Sequence, residues 1–251
     1  MSKKYFSIFF LKIFTKKRKV KSFIRIILVV FTVYIIALIY PNFLFTYKHQ
    51  YRNFIIRSDK PITSNINVVI DDVIKRLEES ELFETQDKFK LYLCNEDWRF
   101  RFFTRNKNAG GAVNFLLSPN IFIRKNDIEK NQVIPPHNWK NTLVDRPLSY
   151  FITHESVHSL QRGYNIFFTI TTSVEIIEGY AEYIAKFKNN DIVNLIEELK
   201  NNSPAMNPKN GLYNKYNLYI TYLIEKKGFN FEKIVNEKPE LEKILREITE
   251  K

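Results

Sequence analysis

The longest run of hydrophobic positions lies near the N-terminus, where residues 26–40 (IILVVFTVYIIALIY) contain no charged residue. Hydrophobic character resumes at residues 43–45, so that about 20 residues are suited to cross a hydrocarbon core of about 30 Å as a helix. The pattern predicts a transmembrane anchor over residues 23–46. A cleaved signal peptide is the alternative, but the preceding basic segment is long and no small-residue cleavage site follows. A buried core helix is disfavoured because the segment is apolar on every face.

Beyond the anchor, the spacing of hydrophobic residues predicts a helix, then strands, then helices. Residues 47–64 are polar and of mixed charge, which predicts a stalk. Apolar residues recur near 3.6 positions in INVVIDDVIKRL, whereas KFKLYLC and NIFIRK alternate as strands do. From Arg146 onward the pattern is helical. This order predicts an α+β fold over residues 65–251, with a small early sheet and a helical C-terminal half.

The net charge of +12 first suggests a nucleic-acid partner, but its distribution does not. Nine of the 39 basic residues lie within residues 1–25, which contain no acid, so the other 30 nearly balance the 27 acidic residues. We therefore expect no nucleic-acid partner. Positive charge on the N-terminal side of an apolar span keeps the N-terminus in the cytoplasm. Residues 1–22 are thus predicted to be cytoplasmic, with the remaining domain outside the cytoplasm and held at the cell membrane.

Half of the four histidines lie in FITHESVHSL, where His154 and His158 are four positions apart and Glu155 follows the first. Pro147 near the start and Gly163 near the end delimit a predicted helix. Positions 154 and 158 then share one face, and two imidazoles there can bind one metal ion. This H-E-x-x-H arrangement is typical of zinc metallopeptidases, but it constrains only three residues, so a third ligand must be found.

The third ligand is sought in TTSVEIIEGYAEYIAKF, where Glu175, Glu178 and Glu182 share one helical face. Thr172 and Glu175 fit a capping box that would start the helix. Many apolar neighbours predict a largely buried helix, and buried carboxylates need a counter-charge such as a divalent cation. The alternative is a solvated acidic face. The small residues Gly179 and Ala181 predict close approach to the histidine helix.

Together, HESVH and EGYAEY resemble the gluzincin metallopeptidases over residues 151–184, and YNKYNLYITYLIEKKGF is more loosely similar to a later helix of that family. The resemblance implies a zincin-like domain in which His154, His158 and Glu178 bind Zn²⁺. It implies that Glu155 is the general base acting on zinc-bound water. It also implies that Glu182 accepts a hydrogen bond from a ligand imidazole, which would fix the tautomer of that ring.

The chain departs from the family pattern in one respect, because some relatives place an oxyanion-stabilising histidine after the third ligand. No histidine follows His158 here, so if any side chain takes that role it must be a tyrosine. Tyr213 is favoured by its place in the resemblance. The alternative is that Tyr213, Tyr216, Tyr219 and Tyr222, spaced three apart, only pack in the core.

These observations predict a zinc metallopeptidase: a membrane-tethered, extracytoplasmic domain that hydrolyses peptide bonds of a peptide or protein substrate. An extended substrate is expected to add as a strand beside an edge formed within AVNFLLSPNIFIRK. The competing hypothesis is a non-catalytic, membrane-anchored binding module that keeps the zincin fold. Retention of Glu155 disfavours that hypothesis, because a scaffold does not need the base.

Overall fold

The chain folds as two units, Met1–Pro41 and Asn42–Lys251. The computed structural model describes residues 3–114, 117–135, 146–187, 191–210 and 212–250, and their side chains from residue 21 onward. In the second unit the strands lie early and the C-terminal half is helical. The α+β class predicted from the sequence is therefore confirmed.

The first unit is a helix, α1 (Lys3–Ile39). Its segment Lys21–Ile39 has a mean hydropathy of 2.6, and among the described helices it alone is long and apolar enough to cross a membrane. Apolar side chains along it, such as Phe23 and Val30, are exposed. Such a helix suits a membrane anchor or a signal sequence. The hydrophobic helix is confirmed, and its assignment as an uncleaved anchor stays a prediction.

A five-stranded mixed sheet begins the second unit, in the order β1-β2-β3-β5-β4. Strands β3 and β5 correspond to the two alternating segments predicted from the sequence, and β4 overlaps the start of the predicted edge segment, residues 112–125. A two-stranded sheet follows it. The strands are β1 (Tyr47–Tyr51), β2 (Phe54–Ser58), β3 (Phe89–Leu93), β4 (Gly111–Val113), β5 (Ile121–Ile123), β6 (Asn126–Asp127) and β7 (Gln132–Val133).

The predicted stalk over residues 47–64 is wrong for residues 47–58, which form the β1–β2 hairpin of the main sheet. Strand β2 pairs in parallel with β3, with Phe54 opposite Phe89. Phe54, Ile56 and Ser58 are buried, while Ile55 and Arg57 between them are partly exposed. A strand as short as β2 resembles a polar linker in sequence. It forms a strand because it pairs with β3, which lies about 35 residues further along the chain.

Most helices of the second unit lie on the face of the sheet that carries Ile121 and Ile123, whereas Phe103 stacks on Phe122 at the other face, with ring centroids 4.7 Å apart. Helix α4 contacts the sheet through β3, β4 and β5 and lies against α2 and α6, and α6 in turn packs on α8. The bounds are α2 (Ile66–Leu77), α3 (Asp97–Thr104), α4 (Leu148–Tyr164), α5 (Phe168–Thr171), α6 (Val174–Lys186), α7 (Ile192–Lys200), α8 (Asn214–Thr221), a π-helical turn (Tyr222–Lys226), α9 (Phe231–Glu237) and α10 (Leu241–Thr249).

Local signals place the ends of these helices only approximately. Pro147 is the residue before α4 and not part of its first turn, and α4 continues one residue beyond Gly163. The capping box predicted from Thr172 and Glu175 does not form: Ser173 precedes α6, without a side-chain cap. Thr172 instead ends the short helix α5. The adjacent prolines in residues 131–141 predict a loop, but residues 132–133 form β7, and residues 136–141 lie outside the described residues.

Candidate metal centre

Helices α4 and α6 bring three donor atoms together. His154 Nε2 and His158 Nε2 are 3.1 Å apart. Glu178 Oε2 lies 3.3 Å from the first ring nitrogen and 3.5 Å from the second. Tetrahedral coordination with bonds of about 2.0–2.1 Å separates neighbouring ligand atoms by about 3.3–3.4 Å. The three edges of this triangle therefore match a zinc-sized ion, and these residues form a group able to hold a metal.

Charge in this triangle is strongly coupled. Burial opposes a charge on His158, but the adjacent Glu178 carboxylate outweighs it and raises the pKa of His158 to about 9. Burial likewise opposes a charge on Glu178, yet His158 and His154 hold its pKa well below the usual range. The Glu178 carboxylate is therefore stabilised in its anionic form by positive charge at the two histidine rings. A metal ion provides the same positive charge while displacing protons from the rings.

His158 is oriented by a residue that the sequence analysis missed. Its Nδ1 lies 2.9 Å from Gln161 Oε1, and Gln161 Nε2 donates to the Ile177 carbonyl at 3.0 Å. Nδ1 therefore carries the proton if this hydrogen bond forms, which leaves Nε2 as the donor toward the triangle. Gln161 also links α4 to the turn of α6 that carries Glu178. The signal was present in the sequence, since positions 158 and 161 share a helical face.

Glu155 is beside the triangle but not part of it. Its side chain lies against β4, so closely that a Cβ at Gly111 would be 2.6 Å from Glu155 Cγ and 2.9 Å from its Oε1. The Val113 backbone N–H donates to its carboxylate and lowers the pKa, but burial has the larger effect and raises it. A buried carboxylate held in this way is a stronger proton acceptor than one in water.

Strand β4 is the edge of the main sheet in the described part of the chain. Arg124 N donates to Gly110 O at 3.0 Å and Gly111 pairs with Ile123, so the polar backbone groups of Gly111 point away from β5. A cleft of about 430 Å³ opens beside this edge. It is lined by Phe103, Thr104, Arg105, Ala112, Val113, Asn114, Phe122 and Thr169.

Glu182 is buried behind His154, at the position that the sequence analysis gave it, but its contacts are different. Its Oε1 is 3.6 Å from His154 Nδ1, which is longer than a hydrogen bond. Its hydrogen bond comes from the Tyr150 hydroxyl. Two cations also face it, Arg146 and Lys186, each with a nitrogen 3.6 Å from a carboxylate oxygen. Tyr150 and Arg146 could not be predicted as partners, because their contact with Glu182 depends on how the elements pack. Lys186 lies four residues after Glu182 on the same helix and could have been found by counting.

Tyr213 precedes α8 with a left-handed backbone (φ 51°), and its ring stacks on Tyr216 with centroids 5.9 Å apart. Burial raises the pKa of Tyr213, and the negative charges of Glu178, Glu182 and Glu155 raise it further, so the phenol stays protonated. Arg146 Nη2 donates to the Leu212 carbonyl at 2.9 Å and holds the preceding residue.

Two other tyrosines of this series have different contacts. Tyr219 and Tyr222 are buried and hydrogen-bonded elsewhere, to the Pro239 carbonyl at 2.5 Å and to Glu247 at 3.0 Å. Gly179 serves a different contact from the predicted one. A Cβ there would be 2.6 Å from the Tyr216 carbonyl oxygen, so this glycine permits close packing of α6 on α8 and not on the histidine helix.

The chain matches no protein-family model, no curated protein and no solved structure.

Proposed function

We propose that this protein is a zinc-dependent metallopeptidase with a zincin-like, gluzincin-type fold, tethered to the cell membrane by α1. One observation carries the proposal: three donor atoms lie 3.1–3.5 Å apart, and a separate buried carboxylate, Glu155, lies beside them. A purely structural site uses four protein ligands, whereas a catalytic site uses three and leaves one position open. Three donors with an adjacent base favour the catalytic type.

In the proposed reaction His154, His158 and Glu178 hold the zinc ion. The bound ion supplies a Lewis acid that acidifies water and polarises the carbonyl group under attack. Glu155 accepts the proton from the attacking water at its carboxylate and returns it to the leaving amine. The Val113 N–H and the contact with Gly111 hold that carboxylate in one orientation. The protonated phenol of Tyr213 donates a hydrogen bond to the developing oxyanion.

The free edge of β4 is the proposed binding surface for an extended peptide. Outward-pointing backbone groups at Gly111 can pair with a substrate strand in the β-augmentation mode. The same strand holds Glu155 through Val113, so a bond positioned on this edge is next to the base. The cleft beside β4, with Phe103 and Phe122 in its lining, offers space for an apolar substrate side chain.

The proposed topology is a single span with the N-terminus in the cytoplasm and the folded unit outside. Its support is the nine positive charges of residues 1–25. A protease added to intact cells or spheroplasts should therefore remove a C-terminal tag. Protection of that tag until lysis would show that the orientation is wrong, and an N-terminus found after Tyr40 would show a cleaved signal.

Zinc content and peptide turnover of the full chain in detergent test the enzyme proposal. We expect one zinc per chain by elemental analysis; less than about a tenth of an equivalent after reconstitution would rule out a zinc protein. Zinc binding without turnover on labelled casein would instead favour the non-catalytic binding module.

Three glutamine variants separate the roles of the carboxylates. Glu155→Gln should keep its zinc while turnover falls by at least about 10²–10⁴-fold, because only the base is lost. Glu178→Gln should bind zinc more weakly and partly recover activity when zinc is raised. Glu175→Gln, one turn earlier on α6 and outside the donor triangle, is the matched control and should keep both properties. Loss of metal from Glu155→Gln with retention in Glu178→Gln would reverse the assigned roles.

A further inference from the structure

The segment that joins the two donor helices exposes an unusual amount of apolar surface. Five large hydrophobic side chains within residues 164–174 are between 48% and 66% exposed: Tyr164, Ile166, Phe167, Ile170 and Val174. Elsewhere in the described part of the folded unit, large exposed hydrophobic residues occur in ones and twos along the chain. A cluster of this kind on a protein surface marks an interaction site. We call it the 164–174 patch.

The exposure is built into an ordered turn. Phe168 is almost fully buried, and its ring packs against those of Tyr164 and Phe231, with centroids 6.1 Å and 5.7 Å away. Backbone bonds from Ile170 and Thr171 to the Phe167 carbonyl close the turn. With Phe168 anchored inward, Phe167 and Ile170 are held outward.

Two basic residues lie at the patch. Between Glu155 and Glu175 the sequence contains no Asp, Glu or Lys, and Arg162 is its one arginine. A second cation reaches the patch from α9, because Lys238 Nζ donates to the Thr171 carbonyl at 2.9 Å. Aromatic and branched apolar residues beside basic ones are typical of segments that dock at a membrane interface and attract anionic headgroups.

We propose that the 164–174 patch docks on an anionic lipid surface, as a second membrane contact of the folded unit. This rests on the proposed anchorage by α1. In sequence only Tyr40 and Pro41 separate that helix from the second unit, so an anchored chain carries the unit at the bilayer surface. A bilayer is favoured over a protein partner because the segment between Glu155 and Glu175 contains no acidic residue, and Arg162 and Lys238 add positive charge beside its apolar side chains.

Docking has a consequence for the metal centre. The patch connects α4, which carries both histidines, to α6, which carries Glu178. When the patch is docked, the segment that joins these two helices lies at the lipid surface, and the metal centre is close to the membrane. Peptides beside a membrane, including segments of other membrane proteins, are then the substrates that reach the site.

The test uses the full chain reconstituted into vesicles, with an environment-sensitive fluorophore on Phe167→Cys. Val193→Cys is the matched control, because Val193 is a lone hydrophobic residue with 72% exposure against 62% for Phe167. The native Cys94 is fully buried, and the unsubstituted chain taken through labelling measures any background from it. Flotation of the labelled chain with the vesicles checks anchorage independently of the probe.

The probe at position 167 should show blue-shifted emission and quenching by nitroxide-labelled lipids, more in anionic than in neutral vesicles, while the probe at 193 stays in water. Lys238→Gln should lower the ratio of docked to undocked chains about fivefold in anionic vesicles. Probes at 167 and 193 that are equally exposed to water in floating chains would overturn the proposal. A probe at position 167 that is shielded from water but not quenched by the labelled lipids would also overturn the proposal, because protein and not lipid would then cover the patch. A chain that does not float refutes the anchorage and with it the docking, and leaves the zinc chemistry untouched.

Discussion

The contact between Gly111 and Glu155 allows a sharp test of the base without changing the base itself. Replacing Gly111 by alanine adds one methyl group on β4. Its Cβ would lie 2.6 Å from Glu155 Cγ, whereas ordinary contact begins at 3.4 Å. The backbone at Gly111 is not left-handed, so alanine is not excluded by its own conformation. The perturbation therefore acts on the Glu155 side chain.

The size of the effect follows from that distance. Relief of the contact needs a movement of about 0.8 Å, the difference between 3.4 Å and 2.6 Å. Displacement of a catalytic group by about 1 Å can cost about 100-fold in rate, so Gly111→Ala should lower turnover about 100-fold. The new methyl is also 2.9 Å from Ile123 Cδ1. Overpacking of this kind costs about 1–3 kcal/mol of stability. Zinc content should not change, since Glu155 is not among the three donors.

Gly163→Ala is the matched control, because it adds the same methyl to the helix that carries Glu155. A Cβ there meets no atom within 4 Å, and alanine favours a helix by about 0.5–1 kcal/mol relative to glycine. Turnover, zinc content and thermal midpoint of both variants should be measured together, well below either midpoint. The reasoning fails if folded, zinc-loaded Gly111→Ala keeps wild-type turnover. Loss of its zinc would show that Glu155 is a ligand and not the base.

Three further variants test other contacts of the site. Gln161→Leu removes the partner of His158 Nδ1 and should weaken zinc binding about 10–100-fold in a chelator competition; unchanged affinity would mean that this hydrogen bond does not orient the ring. Tyr213→Phe keeps the stacked ring but removes the hydroxyl, so kcat should fall about 10²–10³-fold with zinc retained; full activity excludes an oxyanion role. Gly179→Ala should lower stability by about 1–3 kcal/mol in denaturant unfolding, because its Cβ would meet the Tyr216 carbonyl; an unchanged midpoint contradicts the close packing of α6 on α8.

Local periodicity was sufficient to predict the elements that form the donor triangle. A spacing of four places His154 and His158 on one face of any α-helix, because 3.6 residues complete a turn. For the same reason Gln161 could have been found by counting three positions from His158. The apolar run of α1 and the alternation in β3 are equally local properties of the chain. Glu178 was proposed through a resemblance, since spacing alone did not distinguish it from Glu175 or Glu182.

Only the tertiary structure decided which groups meet across elements. The β1–β2 hairpin was mistaken for a stalk because its strand character depends on pairing of β2 with the distant β3. The contact of Gly111 with Glu155 arises where the sheet edge meets α4. Tyr150 takes the hydrogen-bonding role at Glu182 that the sequence analysis had given to an imidazole, because the packing of α4 on α6 leaves His154 Nδ1 at 3.6 Å. Hydrogen bonding is lost over a few tenths of an ångström, and helix periodicity does not determine interhelical distances to that accuracy.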